Sequence, residues 1–72
     1  EAISLFTKPG CGHCARAKAL LEEKGLVYDE ISVGRDASQR ALRAVTGEAT
    51  VPQVFIGGQR IGGADELEAF LT

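Results

Sequence analysis

The chain of 72 residues predicts an α/β fold: one sheet flanked by helices, in the order strand, helix, strand, helix, strand, strand, helix. Three observations predict it. An apolar run stops at a Pro-Gly loop and passes into a stretch of good helix formers; a β-rich segment follows the glycine that ends that stretch; and two further β-rich runs are separated by Gly57-Gly58. Strand, helix and strand in succession read as a parallel βαβ unit, whereas a glycine turn of two residues joins antiparallel partners, here added to the same sheet.

The first strand is Ala2-Ile3-Ser4-Leu5-Phe6, short and free of breakers until Thr7-Lys8-Pro9-Gly10 turns it into a loop. From Gly12 to Lys24 helix formers dominate, and Cys14, Ala17 and Leu21, with Leu20 beside them, recur at helical spacing as one apolar stripe. Gly25 suits the residue just past a helix end. Val27, Tyr28 and Ile31 favour a second strand over Leu26 to Ile31, which Gly34 breaks. Asp36-Ala37-Ser38-Gln39 reads as a capping box, and Ala37, Ala41, Ala44 and Val45 continue it as a helical face until Gly47. The hairpin pairs Val51 to Ile56 with Gln59 to Ile61 around a turn of the primed kind. A third helix over Asp65 to Leu71 carries Leu67, Phe70 and Leu71 behind an acidic first turn.

A chain this short cannot divide its apolar residues between two cores, so residues 1–72 are expected to form a single domain. Composition is that of a globular protein, 44% hydrophobic and 25% charged, and no apolar run approaches the length that crosses a bilayer. Eight Lys and Arg against ten Asp and Glu give a net charge of −2 with no basic cluster, which argues against a nucleic-acid partner. No basic segment, apolar stretch and small-residue cleavage site stand at the start, so no signal peptide is expected. The chain begins at Glu1 without an initiator Met, as an excised domain would.

The chemistry lies in Cys11-Gly12-His13-Cys14. A disulfide closing so small a loop stabilises by only roughly 2 kcal/mol, against about 3 for a 15-residue loop, so the spacing points to reactivity rather than stapling. Thiols react as thiolates, and the unpaired N–H groups and dipole of a helix N-terminus favour negative charge at Cys11. Lys8 from the loop and a protonated His13 would add positive charge. Cys11 is therefore expected to react first, as the anion, and Cys14, on the apolar stripe, second. A stabilised thiolate is above all a better leaving group, which suits disulfide exchange. Zinc needs four ligands, and beyond Cys11, His13 and Cys14 the chain has no other Cys or His; no metal is expected. Two further places suit a ligand. A cis bond at Val51-Pro52 would turn the Val51 backbone outward, and Gly62-Gly63-Ala64-Asp65 opens a helix whose free N–H groups would hold a carboxylate.

Three separated blocks, Thr7 to Cys14, Thr50-Val51-Pro52-Gln53-Val54-Phe55-Ile56 and Ile61 to Leu67, resemble the glutaredoxin pattern in order and spacing, over nearly the whole chain. Lys8-Pro9-Gly10, Arg43-Ala44-Val45 and Pro52 to Gly58 are similar to the glutaredoxin domain fused behind a peroxiredoxin in bacterial hybrid proteins. The resemblance implies a thioredoxin-like fold, a four-stranded mixed sheet with helices on both faces, a cis peptide before Pro52, and a groove for glutathione as co-substrate. By position, Lys8 and Gln39 would meet the glycine carboxylate, Val51 the cysteinyl part, and Ala64 with Asp65 the γ-glutamyl end, with Thr50, Pro52 and Gly63 beside them. The departure is Gly12-His13, where Pro and Tyr are usual; it is similar to the motif of protein disulfide isomerases. A histidine beside the thiolate should favour the dithiol, so a potential more oxidising than roughly −200 to −230 mV is expected.

The implied activity is glutathione-dependent thiol–disulfide exchange in a cytoplasmic monomer. Its partners would be glutathione and glutathionylated or disulfide-bonded proteins, a peroxiredoxin among the candidates, without nucleic acid or membrane. Two alternatives stand beside it: a carrier in which Cys11 of two chains and two glutathiones hold a [2Fe–2S] cluster, and a dedicated electron-donor domain for a peroxiredoxin.

Overall fold

A computed structural model describes all 72 residues, with strands β1 (Ile3–Thr7), β2 (Asp29–Ser32), β3 (Gln53–Ile56) and β4 (Gln59–Gly62) and helices α1 (Gly12–Glu23), α2 (Gln39–Thr46) and α3 (Ala64–Leu71). They run in the expected order, and the strands form one mixed sheet in the order β2-β1-β3-β4. β1 lies parallel to β2, with Leu5 opposite Glu30 and Thr7 opposite Ser32, and antiparallel to β3, with Leu5 opposite Val54. Gly57 and Gly58 both have positive φ, +58° and +82°, which a primed turn of two residues requires.

Alternation along the strands divides the core. Ile3, Leu5, Val54 and Ile56 meet Ala17 and Leu21 of α1 and Ala64 and Leu67 of α3. On the opposite face Phe6 and Val33 pack with Leu42 of α2, and Phe6 meets Phe55 edge-on at 6.1 Å between ring centres. The predicted α1 stripe is the buried one, since Cys14, Ala17 and Leu21 are its inward residues. Helices therefore cover both faces.

Four expectations need correction. β2 begins at Asp29, because its register on β1 starts where Ser4 meets Asp29; Leu26 and Tyr28 pack against the core outside the ladder, and Val27 is exposed. α2 begins at Gln39 with Ser38 as its cap, the Ser38 hydroxyl accepting from the Ala41 N–H at 3.0 Å. Asp36 instead accepts from the Ser32 N–H at 2.9 Å, and Ala37 is tied to Gly34, so both stand before the helix. The buried face of α2 is Leu42 and Thr46, while Ala44 and Val45 face outward. In α3, which starts at Ala64, Leu67 is buried but Phe70 is exposed, for this helix lies over the sheet edge with only part of its apolar stripe covered. No helix is long and apolar enough to cross a membrane.

Candidate active site

Cys11 caps α1. Its backbone is extended (φ −93°, ψ 112°), and its sulfur accepts the Cys14 N–H at 3.2 Å, so one of the orphan donors of the helix start points at the reactive atom. On its other side the Cys11 Sγ lies 3.9 Å from the Val51 carbonyl oxygen. That carbonyl is presented by a cis Val51-Pro52 peptide, as the resemblance implied. Both cysteines are free thiols, Cys11 partly exposed and Cys14 buried. Burial pushes the Cys14 thiol up to about 11; its hydrogen bond with Cys11 adds to the rise, whereas a backbone hydrogen bond at Lys8 and the Lys18 ammonium oppose it. A half-open sulfur at a helix mouth thus stands before a shielded one that keeps its proton, the arrangement of a pair that reacts in sequence.

Two clefts flank Cys11. One, of about 530 Å³, is lined by Thr7, Lys8, Cys11, Cys14, Lys18, Glu30 and Arg35 among others, and cations predominate. The other, of about 430 Å³, lies between the loop before β3 and the start of α3, with His13 at its rim. Thr50, Val51, Pro52, Gly63, Ala64 and Asp65 all line this second cleft. Lys8 and His13, both expected to tune Cys11, therefore stand on different sides of it. Gln39 lines neither; its amide donates to the Ala49 carbonyl at 2.9 Å and braces the loop that leads to Thr50.

The start of α3 is less open than the sequence suggested. The Gly63 N–H donates to the Glu66 carboxylate at 2.8 Å, so that donor is already engaged, while Gly63 supplies no side-chain cap for the N–H groups that follow. Asp65 pairs with Arg16 of α1 at 2.7 Å, and Arg16 also holds Glu68, which joins the first turn of α3 to the helix carrying the cysteines.

Sequence reasoning passed over Arg16, Lys18, Glu30, Arg35, Glu48 and Arg60. Lys18 carried a readable signal, being one helical turn beyond Cys14 and so on the same side of α1. The others depend on pairings between distant elements. Glu30 is the clearest: the Thr7 hydroxyl donates to its carboxylate at 2.7 Å and the Lys18 ammonium at 3.3 Å, and these hold it below its ordinary value, Thr7 foremost.

The glutaredoxin family model matches residues 3–61. Hybrid peroxiredoxin hyPrx5 of Haemophilus influenzae is 60% identical over 72 residues, all of this chain but only 30% of that protein's length. Glutaredoxin 3 of Escherichia coli K12 is 43% identical over 68 residues, which cover 93% of this chain and 82% of the relative. Among solved structures, a buckwheat glutaredoxin–glutathione complex superimposes with a TM-score of 0.82 at 42% identity, over 93% of this chain and 64% of that one. Family match, fold and the capped Cys11-to-Cys14 pair agree: this chain belongs to the glutaredoxin family of thiol–disulfide oxidoreductases.

Proposed function

We propose that the chain uses glutathione to reduce protein–glutathione mixed disulfides and protein disulfides. Cys11, as thiolate, attacks the glutathionyl sulfur; the mixed disulfide breaks, the protein thiol leaves and takes a proton, and glutathione remains joined to Cys11. A second glutathione thiolate then attacks that sulfur, releasing oxidised glutathione and returning Cys11 to its thiolate. With a protein disulfide, Cys14 completes the exchange instead.

The observation that carries this reading is the position of the Cys11 sulfur, 3.9 Å from the Val51 carbonyl, where a cationic cleft adjoins one lined by the Val51-Pro52 and Gly62-Gly63 backbone together with Arg60, Asp65 and Glu66. Glutathione carries opposite charges along its length. Lys8 would take the glycine carboxylate, joined by Gln39 once its amide leaves Ala49; the Val51 backbone would pair with the cysteinyl unit; and Ala64 and Asp65 would receive the γ-glutamyl end, with Thr50, Pro52 and Gly63 as walls. His13, at the rim, would act on Cys11 from the γ-glutamyl side. The buckwheat neighbour, solved as a glutathione complex, supports the same ligand. A dithiol reduced by glutathione suits a reducing compartment, and the cytoplasm is the proposed location.

The test is steady-state reduction of a glutathionylated peptide with glutathione as the reductant. Cys14→Ser should retain turnover and Cys11→Ser should lose it. Turnover that survives loss of Cys11, or a wild-type protein that glutathione cannot regenerate, would overturn the reading. A second role, electron donor to a peroxiredoxin, is favoured by the 60% identity with a hybrid peroxiredoxin along the whole chain. Peroxide-dependent consumption of glutathione when the chain is mixed with a peroxiredoxin tests it.

A further inference from the structure

Reduction of a protein disulfide leaves a specific difficulty at Cys14. Cys14 is only 2% exposed, yet its sulfur has to gather negative charge as it attacks. We propose that Lys18 is the positioning cation for this resolving step, stabilising the charge that develops on the Cys14 sulfur, and that Glu30 and Thr7 hold it in place. The proposal rests on the dithiol route described above.

The placement follows from two periodicities. Cys14 and Lys18 are separated by one turn of α1, which puts their Cβ atoms about 5–6 Å apart on one side of the helix. Both line the cleft that also holds Cys11. On the sheet below, the pairing of Leu5 with Glu30 and of Thr7 with Ser32 turns Leu5, Thr7 and Glu30 to the face that α1 covers. Thr7, itself 2% exposed, donates to Glu30 Oε2 at 2.7 Å, and Lys18 Nζ donates to the same oxygen at 3.3 Å. A buried hydroxyl thus fixes a carboxylate, and the carboxylate draws in a flexible ammonium that would otherwise extend into solvent.

The other charges around this cleft are less suited. Arg35, in the loop after β2, is committed to Asp36 through two contacts of 3.2 Å. Lys8 precedes Cys11 in the loop before α1 and is exposed. Of the side-chain charges acting on Cys14, Lys18 is the one that favours its anion. Cys11 acts the other way, and this sets an order. Burial is the main reason Cys14 holds its proton, and free Cys11 adds to it; once Cys11 is bound in a mixed disulfide that added opposition is gone, while burial and the opposing influence of Lys18 remain.

The step balances simply. Cys14 gives its proton to solvent, its sulfur bonds to Cys11 Sγ, and the bond between Cys11 Sγ and the substrate sulfur breaks. The substrate sulfur leaves with the electron pair and takes up a proton. The two cysteines are oxidised to a disulfide and the substrate is reduced.

Single-turnover kinetics test it. The protein is loaded with glutathione at Cys11, and release of glutathione is followed as Cys14 closes the disulfide, for wild type, Lys18→Met and Lys18→Arg. Cys11-only turnover of a glutathionylated peptide is measured for the same substitutions in a Cys14→Ser background. Lys18→Met should slow release about tenfold more than it slows Cys11-only turnover, and Lys18→Arg should recover most of that loss, because the charge and not the shape acts. Equal losses in the two assays, no loss at all, or an Arg variant as slow as the Met variant would overturn the proposal. A wild-type protein with no turnover of the glutathionylated peptide would instead sink the glutathione reading.

Discussion

Gly62 offers the sharpest test of how the fold holds the second cleft. It closes β4 with φ +122°, a backbone conformation that side chains rarely adopt, and it is buried. A Cβ built there would lie 3.0 Å from both Cβ and Cγ of Glu66, and Glu66 in turn binds the Gly63 N–H. Those atoms sit close to the backbone of α3, so the overlap is relieved only by displacing the first turn of that helix. An unfavourable backbone region alone costs about 1–3 kcal/mol, and the crowding adds to it. For Gly62→Ala the expected loss is about 3 kcal/mol, or roughly 12–24 °C in melting temperature for a domain of this size. Thermal unfolding followed by circular dichroism reads that loss. In the functional assay, the Michaelis constant for a glutathionylated peptide should rise more than kcat falls, because Ala64 and Asp65 move while Cys11 stays on α1. A variant that melts within about 3 °C of wild type would refute the reasoning from φ and contact together.

Two other outcomes follow from the same structure. The folded Cys14 thiol is raised from 9.0 to about 11, so its protonated form favours folding, and that contribution is present below pH 9 and lost as pH rises through about 11. Under reducing conditions, urea midpoints should therefore fall more steeply between pH 8.5 and 11 for wild type than for Cys14→Ala, and parallel curves would contradict the burial argument. Arg16→Ala removes contacts to Asp65 and Glu68, but Asp65 is 86% exposed, so the stability change should stay under about 1 kcal/mol and shrink further in 1 M salt. Denaturant unfolding at low and high salt checks it.

The features that local chemistry specifies were legible in the sequence. Gly57-Gly58 determines a turn by itself, the α1 stripe follows from 3.6-residue spacing, and the placement of Cys11 at the helix start comes from the Pro-Gly loop before it. What the sequence hid was decided by competition between distant or equivalent partners. Asp36 and Ser38 are both good helix caps, and the choice between them is made by the Ser32 N–H, which claims Asp36. Val27 has a strong β preference, yet the strand starts only where β1 has a partner to offer. The Thr7–Glu30–Lys18 cluster depends on the parallel register of two strands and on a helix laid across them, and no window of neighbouring residues contains it.

The main core draws on Ile3 near one end of the chain and Leu67 near the other, and the first strand pairs directly with the third across some fifty intervening residues, as Ile3 meets Ile56. As this stretch leaves a ribosome its core therefore stays incomplete until α3 is free, since the βαβ portion alone covers only part of the face of β1 that meets α1. Folding of this unit should come late and nearly all at once, and a product truncated before α3 would be prey for proteases instead of a partly working reductase.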